Sequence, residues 1–257
     1  MKINKSQTLR EWLQEQPFTL TMSSGFFSFF AHCGMLSALE DEDLLPQKVT
    51  GSSAGALVGS CWAAGMDTER LQTELFRLRK EDFWDPAFGW GLLKGERFRE
   101  IIRQMSPVER LEDCTLPVYL SAYDGFKKTT RIFKKGILCD VLYASCAVPF
   151  LFQPIRIEGR LYWDGGIKDR PGLGGIPVGE RVFYHHIASR SPWRKKDSAA
   201  LKVPKRANLA SLVIQDLPRV SPNQMQIGPL AFKRARSATQ WALNQPLPNQ
   251  LSITVES

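Results

Sequence analysis

The rhythm of apolar and polar positions changes repeatedly along this chain, and each change marks a predicted element. Residues 7–16 (QTLREWLQEQ) read as a short amphipathic helix that ends before Pro17. Phe18, Leu20 and Met22 then alternate with Thr19 and Thr21, the two-residue period of a strand, and Ser23-Ser24-Gly25 breaks it. A helical stripe follows at His32, Met35, Leu36 and Leu39 and ends in the acidic run 40–43. A short strand is predicted at Lys48 to Thr50. A second helix, with Leu57, Val58, Cys61 and Trp62 on one face, is predicted to run to about Ala64, with Gly65 as its stop.

The middle of the chain keeps both rhythms. Asp67 is placed to cap a helix over 68–83, and Glu96 to Met105 reads as another. Between them lies an aromatic, glycine-rich connector, FWDPAFGWGLLKG. Leu116–Tyr123 and Arg131–Phe133 read as paired strands around Asp124-Gly125, a common hairpin signal. Val141–Val148 is predicted helical up to Pro149. Strands are expected near 155–157, 161–163, 181–186 and 211–214, with a last helix over 229–243. Strand and helix alternate at the front and mixed strands follow. That order predicts the α/β class, with helices on both faces of a central sheet, and no boundary divides residues 1–257 into separate domains.

Composition narrows the class. The 257 residues are 43% hydrophobic and 23% charged, enough for one sizeable core. No apolar run approaches the ~18 residues a membrane span needs, and the polar start, 1–16, carries no secretory core. A cytoplasmic location, peripheral at membranes, is therefore expected. Five scattered cysteines (Cys33, Cys61, Cys114, Cys139, Cys146) have no metal-ligand spacing with histidine, so reduced thiols and no metal or cofactor are expected.

The net charge of +8 concentrates in Lys127–Lys135, with five basic residues, and in Arg190–Arg206, with seven against one acid. A solvated face and an anionic membrane surface both account for such runs. No helix-turn-helix, RNP or zinc-finger pattern accompanies the charge, so nucleic acid is not expected as a partner.

The candidate chemistry begins at Gly51-Ser52-Ser53-Ala54-Gly55. A serine on a sharp strand-to-helix turn holds its Oγ out of the sheet, and the turn tolerates only small residues two positions before and after. Ser53, flanked by Gly51 and Gly55, meets that pattern; Ser52 does not. The helix that follows turns its positive end toward an oxyanion. The loop 24–30 leaves the first strand at the same sheet edge and offers backbone amides to a developing negative charge. Trp163-Asp164-Gly165-Gly166 has two readings. One is a hairpin turn. The other makes Asp164 the acceptor of the serine proton, a task that suits a carboxylate only with burial and favourable geometry.

Three separated blocks, Gly25–Glu40, Thr50–Met66 and Leu142–Gly172, resemble in sequence and order the conserved blocks of the patatin-like phospholipases. The resemblance covers most of residues 18–175 and leaves 207–257 unassigned. It implies a three-layer α/β/α sandwich around a mostly parallel sheet, and a catalytic dyad of Ser53 and Asp164. It also implies an oxyanion hole of the amides of Gly25, Phe26, Phe27 and Ser28, with Gly51, Gly55, Gly165 and Gly166 as motif glycines. The implied activity is hydrolysis of acyl esters in phospholipids, lysophospholipids or glycerides through an acyl-enzyme, without a cofactor. The implied partner is a lipid or membrane-surface substrate, with an anionic one suggested by the basic runs.

The family carries glycine where Ser28 aligns. A loop that needed positive φ there would be strained by serine, which leaves a catalytically weak lipid-binding protein as one alternative. Another is an ordinary Ser-Asp-His hydrolase drawing on His185 or His186, with His32 a structural residue beside the loop. The aromatics of 83–93 read either as buried packing or as a cap whose rings enter a membrane interface.

Overall fold

The computed structural model describes residues 7–188, 198 and 201–257. Most of the basic run 190–206 therefore lies outside the described residues. The helices are α1 (Leu9–Glu15), α2 (Phe29–Asp41), α3 (Ala54–Ala63), α4 (Thr68–Arg77), α5 (Lys80–Phe83), α6 (Glu96–Gln104), α7 (Leu138–Cys146) and α8 (Gly228–Leu243). The strands are β1 (Thr19–Met22), β2 (Lys48–Gly51), β3 (Gly91–Leu93), β4 (Val118–Asp124), β5 (Thr129–Phe133), β6 (Phe150–Phe152), β7 (Ile155–Ile157), β8 (Arg160–Asp164), β9 (Val182–Ile187), β10 (Leu209–Gln215) and β11 (Ser252–Glu256).

Local chemistry explains the ends of several elements. The Thr8 hydroxyl accepts from the Glu11 amide while the Glu11 carboxylate accepts from the Thr8 amide, a reciprocal cap on α1. Asp67 caps α4 through the Arg70 amide at 2.7 Å. The single helix expected over 68–83 is instead two. Arg79 is extended (φ −123°), and its amide donates to Asp82, which starts α5 afresh.

The sheet runs β11-β10-β9-β1-β2-β4-β8-β7, and β5 also pairs with β4. All pairings from β11 to β4 are parallel; those among β4, β5, β8 and β7 are antiparallel. The class is α/β, a large and mostly parallel central sheet flanked by helices. One face of the sheet is apolar. Leu20, Met22, Val49 and Phe183 pack there in the main core with residues of α2, α3 and α8. The other face carries Thr19, Thr21, Tyr184 and Ser121, covered by the chain after β8. Asp169 anchors that cover, accepting from Ser121 Oγ at 2.5 Å and from the amides of Leu173 and Gly174.

β4 positions the site. Val118–Leu120 pair with Val49–Gly51 of β2, Leu120–Asp124 with Thr129–Phe133 of β5, and Ala122–Asp124 with Tyr162–Asp164 of β8. A strand has two edges, and β5 overlaps both other partners along β4, so β2 and β8 share the remaining edge. Gly51 sits opposite Leu120 and Asp164 opposite Ala122. The strand ends thus come within two residues along β4, roughly 7 Å.

Three strands have no counterpart in the sequence expectations. β11 adds a parallel edge strand beside β10, and β3 pairs with β6 in a separate two-stranded sheet. Among the described residues, no helix is long and apolar enough to cross a membrane.

Candidate active site

β2 ends at Gly51 and α3 begins at Ala54, so the chain reverses within Ser52 and Ser53. Ser53 takes up the reversal at φ 55°, ψ −121°, a region that an L-residue occupies only when its surroundings hold it there. Its amide donates to Ser145 Oγ at 3.0 Å, and the Cys146 thiol donates to its carbonyl at 3.2 Å, both from the end of α7. Burial pushes the Cys146 thiol well above its ordinary range, so it stays protonated as a donor. Sequence reasoning missed both supports, because only the packing of α7 against the turn identifies them.

Gly55 is required by close approach: a β-carbon there would overlap the Met22 carbonyl of β1. Gly165 is held in the same way by the Ser121 carbonyl of β4. Gly51 occupies the last position of β2, and Gly166 donates its amide to Asp164 Oδ1 at 2.7 Å.

Asp164 closes β8, and its own amide donates to the Ala147 carbonyl at 2.9 Å. With Oδ1 turned to Gly166, Oδ2 accepts the hydroxyl of Ser53 at 2.6 Å. The hairpin reading of Asp164-Gly165 fails, because the chain runs from β8 into a 3₁₀ turn at Gly165–Ile167. Both residues are buried yet line open space.

The loop between β1 and α2 closes the other side. Phe27 carries its strain, at φ 53°. Ser28 sits at φ −81°, ψ 3°, where serine is under no handicap against glycine. Its amide (3.2 Å) and its hydroxyl (2.8 Å) both donate to the Gly25 carbonyl. This corrects the expectation for residue 28: its amide closes the loop and is not offered to an oxyanion. Gly25, Phe26 and Phe27 line the cavity at Ser53.

None of the three histidines meets Ser53. His32 Nε2 donates to the Ser23 carbonyl at 2.8 Å, which leaves Nδ1 as an acceptor; His185 Nδ1 therefore donates to it at 2.9 Å. His185 Nε2 has no hydrogen-bond partner. His186 contacts Tyr184 Oη and the Leu201 carbonyl. Burial holds His32 down to about 3 and His186 to about 4, and His185 well below its ordinary value, so all three are neutral. The triad alternative has no histidine at the nucleophile.

Ser53 stands where two spaces meet. One is an apolar cavity whose walls include Leu57, Leu78, Phe83, Phe98, Ile101 and Phe152. The other is a cleft bordered by Ser24, Phe150, Asp164, Ile167 and Arg170. Of the phenylalanines in the loop, Phe30 is in the core and Phe26 is partly exposed at the junction.

Comparison with known proteins places the chain in a family. A family model described as patatin-like phospholipase matches residues 20–174. An uncharacterized NTE family protein of Mycobacterium tuberculosis (strain H37Rv) is 30% identical over 158 residues, 58% of this chain and 42% of that protein. Lysophospholipase NTE1 of Meyerozyma guilliermondii is 24% identical over 191 residues, 70% of this chain and 13% of that protein. The chain thus spans less than half the length of these relatives. Among solved structures, VipD from Legionella pneumophila shares the fold with a TM-score of 0.64 at 15% identity, over 90% of this chain and 67% of that one.

Proposed function

The chain belongs to the patatin-like phospholipase family, and from that premise we propose that it hydrolyses carboxylic esters of lipids through a Ser53–Asp164 dyad. The observation that carries this reading is the 2.6 Å hydrogen bond between Ser53 Oγ and Asp164 Oδ2 at the junction of an apolar cavity and a polar cleft. An acyl chain suits the apolar space, and the alcohol portion of the ester suits the cleft.

Asp164 Oδ2 accepts the hydroxyl proton as Ser53 Oγ attacks the ester carbonyl. The oxyanion that forms is received by amides of Gly25, Phe26 and Phe27 and by the positive end of α3. Collapse of the tetrahedral intermediate breaks the bond to the alcohol, which leaves with the proton from Asp164. Water then attacks the acyl-serine, gives its proton to Asp164, and the fatty acid departs as Ser53 recovers its hydrogen. No histidine is needed, because the accepting carboxylate already holds the hydroxyl.

The substrate class is phospholipid, lysophospholipid or acylglycerol, met by a peripheral protein at a lipid surface. The low-activity alternative loses its main support, since Ser28 is unstrained. A hydrolysis panel of phospholipids, lysolipids, glycerides and short esters, with Ser53→Ala as the blank, tests the proposal. Turnover of at least one acyl ester by the parent chain alone is expected; none with folded protein would reject it.

A further inference from the structure

Two sequence features, the aromatic connector and the basic run from Lys127, remain outside the catalytic account. They are neighbours in the fold. β3 pairs with β6, which brings the connector against the residues that border the cleft. Phe88 is fully exposed, Phe150 is 87% exposed, Trp90 66% and Leu92 50%. Trp90 stacks on Trp163 of β8, with ring centroids 5.6 Å apart and planes at 25°. Gly125 lies on Trp163 too, so close that a β-carbon there would overlap the ring. Gly125 opens the β4–β5 turn, whose tip holds Phe126, 65% exposed, and the exposed Lys127 and Lys128. Trp163 thus joins an aromatic ridge to a basic tip, one residue before Asp164.

We propose that this ridge and tip form one docking face for an anionic lipid surface, so that the cleft opens into the layer that holds the substrate. The proposal rests on the lipid-ester reading above. Three observations favour a lipid surface over a second copy of the chain or another protein.

The first is continuity: Phe150 belongs to the ridge and also borders the cleft at Ser53, beside the partly exposed Phe26 and Ile167. The second is backbone strain without packing return. Phe150 is held at φ 66° while its ring faces solvent, a cost expected only where the outward ring has a use. The third is charge. Asp85 accepts from the amides of Gly95 and Arg97. Asp124 accepts from Phe126 and Lys127 and pairs with Arg160. Asp85 and Asp124 are thus tied to their own turns, while Lys94, Lys127 and Lys128 are exposed. Exposed aromatic rings favour the membrane interface, and lysines beside them are drawn to anionic headgroups.

The test uses the full chain carrying Ser53→Ala, sedimented with vesicles of phosphatidylcholine alone or mixed with phosphatidylserine. Stronger binding to the mixed vesicles is expected. Phe88→Asp, and separately Lys127→Glu with Lys128→Glu, are each expected to lower that binding by about tenfold or more. In the otherwise unaltered chain the same substitutions should leave turnover of a monomeric short-chain ester unchanged. The proposal is overturned if the parent protein ignores mixed vesicles, if either variant binds as the parent does, or if short-chain turnover falls with binding. It is also overturned if Phe88→Asp dissolves a dimer, which would assign the ridge to a second copy. Absence of ester turnover in the parent chain would sink the catalytic reading and leave the vesicle measurements to decide the docking face separately.

Discussion

Two pairs of buried polar side chains flank β1, one beyond β2 and one between α2 and β9, and they have opposite relations to solvent. Ser53 and Asp164 share a 2.6 Å hydrogen bond and border open space. His32 and His185 share one of 2.9 Å, are fully buried, and line none of the cavities at Ser53. In the proposed mechanism the first pair exchanges a proton with the substrate. The second is a strut: it ties α2 to β9 and, through the Ser23 carbonyl, to the start of the loop that faces Ser53. A buried histidine near a nucleophile is therefore no sign of a triad here. What separates the pairs is access, and that can be tested by disturbing each in turn.

The largest effect is expected from the reactive pair. Asp164→Asn keeps the shape and removes the proton acceptor, so kcat should fall by about a thousandfold or more, with an unchanged circular dichroism spectrum. His185→Gln should leave kcat within about tenfold, because no step passes through it. A loss as deep as that of Asp164→Asn would erase the distinction between the pairs.

Stability should show the reverse order. His32→Ala empties buried space and leaves the Ser23 carbonyl and the His185 ring without their partner, at about 2–4 kcal/mol in urea unfolding. Ser53→Ala should cost far less.

The histidines also set a pH dependence. Their folded values are depressed, to about 3 for His32, about 4 for His186 and well down for His185, against an ordinary 6.5. The unfolded chain binds protons that the folded chain refuses, so their contribution is full above about pH 6.5 and declines as pH falls toward 4. Each histidine adds a slope of about 1.4 kcal/mol per pH unit in that window. Urea midpoints from pH 7 to pH 5 measure it, and a flat profile would contradict neutral burial. The smallest effect is assigned to Ser28→Gly: with φ already negative, kcat should stay within about threefold of the parent.

Much of this was legible in the sequence, because periodicity and turn chemistry are local. The Phe18–Met22 alternation gave β1, and the small-residue turn gave the reversal at Ser53. Asp164 was found by resemblance; residue pattern left it between a turn and a base. What brings it beside Ser53 is the sharing of one β4 edge by β2 and β8, a relation among three strands far apart in the chain. The break between α4 and α5 was missed because the apolar stripe continues through Leu78 while the backbone does not. β11 was missed as a short edge strand with Thr254 and Glu256 facing out. Sequence alone leaves open whether residue 28 needs positive φ; in the structure that conformation falls on Phe27. The nearness of the aromatic connector to the Lys127 tip depends on Trp163, which no local pattern encodes.

The central claim is that Ser53 is a nucleophile activated by Asp164 and by no histidine. A fluorophosphonate probe measures this directly, by mass of the labelled peptide and rate of labelling. Labelling is predicted at Ser53 alone, abolished by Ser53→Ala, slowed by about a hundredfold or more in Asp164→Asn, and little changed in His185→Gln. Folded parent protein that takes no label at Ser53, or labels as fast in Asp164→Asn, would contradict it.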